Sequence, residues 1–212
     1  MFTVKGKEWN EQRNWYKVAF SQRHIMTLIP QIIEEMLVFN KRLTEYAITG
    51  GTLKVNDATK ELTMDVITRT LLGVRLHNQP KWYEFKEYFL KATEWLDSQS
   101  NGFNGLRKWL YYQMRLYYGR KMDRVLKETM LEELDLNAAD STDKPAKTIF
   151  ELSLYGYLKD HGQMWKRGQM SVDAEFLRVS MDNVKFFLLA GMDTTSSGIS
   201  VPTDDSHHIH GI

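Results

Sequence analysis

Apolar residues recur along most of the chain at spacings of three and four, the spacing that puts side chains on one face of a helix. Ile33, Met36, Leu37, Leu43 and Ala47 form the apolar side of a helix predicted over Ile29–Thr49. Pro30 suits its first turn, and Gly50-Gly51 stops it. Thr52–Gly73 begins with a short alternating piece and continues as a helix after Asn56, a capping residue. Asp65 within it reads as a solvated or salt-bridged helix residue. Pro80–Ser100 is aromatic and amphipathic, with Trp82, Phe85, Tyr88, Phe89 and Trp95, and a turn follows at Asn101-Gly102. Leu106–Leu134 is a long helix, basic and then acidic. Asn137–Lys147 has the composition of a solvated linker, Thr148–Asp160 is a short helix, and His161–Ser171 is a loop. In the last helix Leu177, Met181, Val184, Leu188 and Gly191 make one buried face. Asp173 is its predicted N-cap, Glu175 lies in the first turn, and Val172 and Leu177 stand at the positions of a hydrophobic staple. The fold class these patterns define is all-α.

Two stretches carry chemistry. Near the start, Trp9, Arg13, Tyr16 and Phe20 fall on one helix face. The plain reading is an aromatic core stripe with Arg13 paired to a glutamate. The chemical one is that an indole N–H and a guanidinium one turn apart reach the same anion. In the last helix, the run Phe186–Ser200 turns abruptly from apolar to polar. Gly191 costs about 1 kcal/mol against alanine in a helix interior. Thr194, Thr195, Ser196 and Ser197 can each bond back to a carbonyl one turn earlier and loosen the ladder. The plain reading is a helix end capped by Gly198. The chemical one is a groove with an acid and a hydroxyl facing into it, suited to a small polar ligand and to proton transfer.

Ala190-Gly191-Met192-Asp193-Thr194-Thr195 resembles the oxygen-binding helix motif of the cytochrome P-450 family, the haem-thiolate monooxygenases. The first helix resembles that family's Trp-x-x-x-Arg segment, and Val18-Ala19-Phe20-Ser21 its Pro-Ala-Phe-Ser ending, with valine in place of proline. Leu62–Gly73 resembles a later helix. The resemblance runs in order from Gly6 to Ser200 and makes residues 1–200 a partial cytochrome P-450 domain, its fold the helical part alone. Residues 201–212 are then an unrelated, disordered tail, whose His207, His208 and His210 lack a rigid frame for a metal. By this resemblance Asp193 relays protons and Thr194 hydrogen-bonds the oxygen and delivers them. Ala190 and Gly191 let haem and oxygen come close, and Trp9 and Arg13 hold a haem propionate. It further implies haem as cofactor, a small apolar organic substrate and a reductase as partners, and insertion of one oxygen atom from O2. Relatives of this type are often anchored in the endoplasmic-reticulum membrane.

Composition changes this picture at one point. With 28 basic and 27 acidic side chains among 212 residues, no field for nucleic acid is implied. No apolar run is long enough to cross a bilayer, His77 has no partner at metal-ligand spacing, and no signal-peptide, repeat or phosphate-loop pattern occurs. The chain contains no cysteine, however. That excludes disulfides and thiolate zinc sites, and it also removes the sulfur that a haem-thiolate enzyme places on its iron. The expectation is therefore the middle of a chain well over twice as long, inactive by itself, with Phe187, Leu188 and Ile199 presenting uncovered apolar surface. The alternatives are a non-catalytic helical binding or regulatory module and an incomplete gene model.

Overall fold

A computed structural model describes residues 4–75, 84–91, 105–139, 148–163 and 172–204. Among them all regular structure is helical: α1 (Gly6–Lys17), α2 (Gln22–Thr49), α3 (Val55–Leu72), α4 (84–91), α5 (Leu106–Ala139), α6 (Ile149–Asp160) and α7 (Ala174–Asp204). Trp82, Trp95, His77, most of the 161–171 loop and the histidines of the tail lie outside the described residues.

The chain divides into two units. The first comprises Met1–Val74, Pro145–Trp165 and Arg178–Ile212, and so holds α1, α2, α3, α6 and most of α7. The second comprises Arg75–Lys144 and Lys166–Leu177. In the second unit, Phe85 and Phe89 of α4 stack with ring centroids 6.0 Å apart, and Tyr88 meets Tyr118 of α5 at 6.0 Å. Leu126 and Met130 of α5 are buried, while Trp109, Tyr112 and Tyr117 are exposed.

The helix limits follow local chemistry. α2 starts at Gln22, earlier than the predicted Ile29, because the Ser21 side chain accepts a hydrogen bond from the His24 backbone N–H at 3.4 Å. Pro30 therefore lies inside the helix rather than in its first turn. It stands on the exposed side, beside the exposed Met26 whose carbonyl it leaves without an N–H partner, so water can serve that carbonyl. Gly50 and Gly73 end α2 and α3 in the left-handed conformation, with φ of 68° and 75°. α3 begins at Val55 without a side-chain cap, so Asn56 is a first-turn residue and not the cap. α5 runs on to Ala139, past the predicted end at Leu134, and takes up the first residues of the expected linker. Thr148 and Glu151 close a full capping box at the start of α6. Asp173 caps α7 by accepting from the Glu175 N–H at 3.1 Å.

α7 neither stops at Gly198 nor breaks at Pro202 but continues to Asp204. The hydroxyls of Thr194 and Ser196 fold back on the carbonyls of Ala190 and Asp193, at 2.6 and 3.2 Å, within an intact ladder. Pro202 lies two residues from the helix end, where it can delete only a final-turn bond. Val184, Leu188, Met192 and Ser196, four residues apart, form its buried line. Leu188 is fully buried, contrary to the expected uncovered surface, whereas Ile199 is exposed and Phe187 is half-buried.

α1 and α6 come close together at Gly156. A Cβ there would lie 2.5 Å from the Trp15 carbonyl oxygen and 2.8 Å from its Cα. The Trp15 ring meets Tyr157 edge-on at 5.0 Å. α2 is tied to α3 by an Arg42–Glu61 ion pair at 2.8 Å. The Arg42 pKa is raised first by that hydrogen bond, and Asp65 adds a further attraction, in keeping with its reading as a charge-paired surface residue. Of α2 itself, Leu28 and Glu35 are buried. Ile33, Met36 and Leu37, the predicted apolar side, stay exposed.

Candidate functional site: the α7 turn at Ala190–Thr194

The polar-after-apolar run of α7 borders an apolar groove of about 440 Å³. Its walls are Ile25, Leu28 and Ile32 of α2, Val66, Ile67, Thr70 and Leu71 of α3, Phe20 and Ile149, and Phe187, Ala190, Gly191 and Thr194 of α7. All of these belong to the first unit. Phe20, Tyr16 and Phe187 form an aromatic cluster at one side, with Phe20 and Phe187 5.1 Å apart and Tyr16 and Phe187 5.4 Å apart.

Thr194 and Ala190 are one turn apart, which allows the Thr194 hydroxyl to donate to the Ala190 carbonyl at 2.6 Å. The hydroxyl proton is thus held, and the oxygen keeps lone pairs for a donor arriving in the groove. Asp193 is exposed and is not among the lining residues. Consecutive residues on a helix point about 100° apart, so the acid and the hydroxyl do not share the groove that the sequence pattern suggested. Gly191 has a specific partner that the sequence did not reveal. A Cβ on it would stand 2.5 Å from Cδ1 of Ile67 and 3.3 Å from its Cγ1. The only signal that pointed there was a glycine inside a helix, which asks for a close neighbour without naming it.

Trp9 and Arg13 pair with each other on α1. The Arg13 guanidinium lies 5.1 Å from the Trp9 ring centroid, a cation–π contact, and Arg13 is exposed. It makes no ion pair with a glutamate among the described residues, so the structural reading of Arg13 as half of a salt bridge is not what is found. Neither residue lines the groove.

Between α1, α6 and α7 lies a buried polar cluster. The Tyr16 phenol is enclosed with Ser153, Ser180 and Asn183 around it, and none of these closes a hydrogen bond of good geometry on the phenol oxygen. Burial raises the phenol's pKa above 10, and the three polar neighbours oppose this only in part. A raised folded-state pKa means that the proton is held more tightly in the folded chain. The associated stability is complete below about pH 10 and is lost as pH climbs through the higher folded value. Urea midpoints measured from pH 9 upward should fall in the native protein and fall less in Tyr16→Phe. Equal slopes in the two proteins would refute this origin.

The cytochrome P450 family model matches residues 1–201, and the chain belongs to that family. A cytochrome P450 monooxygenase of Aspergillus aculeatus, acrF, is 27% identical over 201 residues, covering 94% of this chain and 38% of the relative. Another, polC of Polytolypa hystricis, is 22% identical over 204 residues, covering 94% of this chain and 35% of the relative. The chain thus spans little more than a third of the length of these curated relatives.

The family implies haem, and side chains chemically suited to that group are present only for its periphery. Arg13, exposed and without a carboxylate partner among the described residues, with the Trp9 indole beside it, is chemistry for a carboxylate. The groove side of Ala190–Thr194 is apolar with a single accepting hydroxyl. For the iron there is no cysteine anywhere in the sequence to serve as a thiolate. The donor set therefore suits a porphyrin edge and not an axial thiolate, and no reaction step through haem follows from this chain.

Proposed function

We propose that the chain is the portion of a haem-dependent monooxygenase that carries the oxygen-facing helix and a propionate anchor, and that alone it does not insert oxygen. Family membership over residues 1–201, with coverage of 38% and 35% of the relatives' lengths, supports the first part. The absence of cysteine from all 212 residues supports the second and is the observation that carries it. In a complete enzyme haem would supply oxygen activation. Arg13 and Trp9 would hold a propionate, Ala190 and Gly191 would border the group, Thr194 would offer its hydroxyl, and Asp193, at the solvent side of the same helix, would exchange protons with water. A small apolar organic molecule is the class of substrate in keeping with the apolar walls, with electrons drawn from a reductase.

The test is haem titration of the purified 212-residue chain, followed by reduction and exposure to carbon monoxide. The expected result is no red-shifted Soret band of the kind that thiolate ligation produces. Any residual haem uptake should weaken several-fold in Arg13→Ala, by loss of a charge-assisted contact. A thiolate-type Soret band would overturn the claim of inactivity, and residual uptake indifferent to Arg13 and Trp9 would overturn the anchor.

A further inference from the structure

The Ala190–Thr194 turn is weak by its own sequence. Gly191 lowers its helix propensity, and Thr194 diverts part of the Ala190 carbonyl. A turn with both features is prone to local opening unless something outside the helix covers it. The cover comes from one face of α3. Ile67 inserts its Cδ1 into the notch of Gly191, close enough that a single added methyl would collide with it at 2.5 Å. One turn earlier on the same face, the buried Thr63 hydroxyl lies 3.4 Å from the carbonyl oxygen of Met192. Its one proton is shared with its own helix, where the Thr59 and Lys60 carbonyls lie at 2.9 and 3.1 Å. Thr63 therefore adds a weak polar contact, and the apolar knob does most of the holding. Positions 63 and 67 are four apart, so both reach α7 from the same stripe.

We propose that Ile67, assisted by Thr63, is a positioning residue that holds the Ala190–Thr194 turn closed and so sets where the Thr194 hydroxyl sits at the groove. The functional weight of this inference rests on the reading of that turn as oxygen-facing. The physical claim is separate from it: Gly191 is matched to Ile67 as a notch to a knob, so changes at the two positions are coupled.

Hydrogen exchange on the haem-free 212-residue chain tests it, with amides of residues 190–196 compared against those of α6 in the same sample. In Ile67→Ala the 190–196 amides should exchange about tenfold faster than those of α6 do, relative to the native chain, because local opening and global unfolding separate there. Ile67→Val, which lacks only the Cδ1 methyl at the notch, should fall between. Gly191→Ala gains helix propensity in either background but meets Ile67 only in the native one, so it should shift the urea midpoint more favourably in the Ile67→Ala background, where its methyl has room, than in the native background. Thr63→Val should speed exchange slightly, and Thr63→Ser should restore it. An increase of equal size in α6 and α7, or strictly additive effects of Gly191→Ala and Ile67→Ala, would overturn the positioning role. No haem enters these measurements, so failure of the haem titration leaves them unaffected, and their failure leaves the haem reading standing.

Discussion

Replacing Gly156 with alanine is expected to be among the most damaging single changes in this chain, by about 3 kcal/mol or more. The reason is the identity of the neighbour. A new Cβ would meet the Trp15 carbonyl oxygen at 2.5 Å and its carbonyl carbon at 3.0 Å, and these are backbone atoms of α1 that cannot rotate aside. α6 would have to retreat from α1, opening the edge-on Trp15–Tyr157 contact and the enclosure of Tyr16. Gly198→Ala provides the opposite control. It sits inside α7 with nothing within 4 Å, so the same methyl should stabilise by about 1 kcal/mol through helix propensity alone. Urea midpoints of the two variants should move in opposite directions. A Gly156→Ala protein that melts with the native midpoint would show that α1 and α6 do not approach as described.

Leu188→Ala should cost about 2–5 kcal/mol, the range for emptying a buried leucine site. Leu188 is 0% exposed and stands one turn before Met192 on the buried line of α7. Leu37→Ala on α2, at 61% exposure, should change stability by less than about 0.5 kcal/mol. The contrast is a direct test of which apolar residues are covered. Sequence periodicity placed Leu188 on a buried helix face, the partial-chain expectation left that face uncovered, and Leu37 lay on an ordinary apolar face. If Leu37→Ala proved the costlier change, the burial pattern of the first unit would be wrong. The exposed apolar residues of α2, including Met26, Ile33, Met36 and Leu37, are instead the surface on which hydrophobic dye binding is expected.

Several features were legible before any fold was known because they depend on residues close in sequence. The three-and-four period marked the helices, since burial of one face needs only that spacing. Gly50 and Gly73 ended α2 and α3, as residues free to adopt positive φ. Asp173 capped α7 through an amide two residues away. The back-bond of Thr194 to Ala190 is likewise a matter of one turn. Family membership came from the order of short motifs along the chain, and the family match confirms it.

What tertiary structure decided is the partner on each face. Periodicity says that a helix has an apolar side but carries no information on whether another helix covers it, so α2 and α7 were read alike and differ. A glycine announces close approach without saying what approaches. At 156 it is the backbone of α1, unyielding, and at 191 it is a flexible isoleucine tip from α3. Asp193 and Thr194 are adjacent in sequence, point apart and are both exposed, and that only Thr194 borders the groove emerged when α2 and α3 supplied the walls. Local chemistry acts over one helical turn and is written in consecutive residues. Coverage depends on residues more than a hundred positions apart, such as Thr63 and Met192, which only the folded chain brings together.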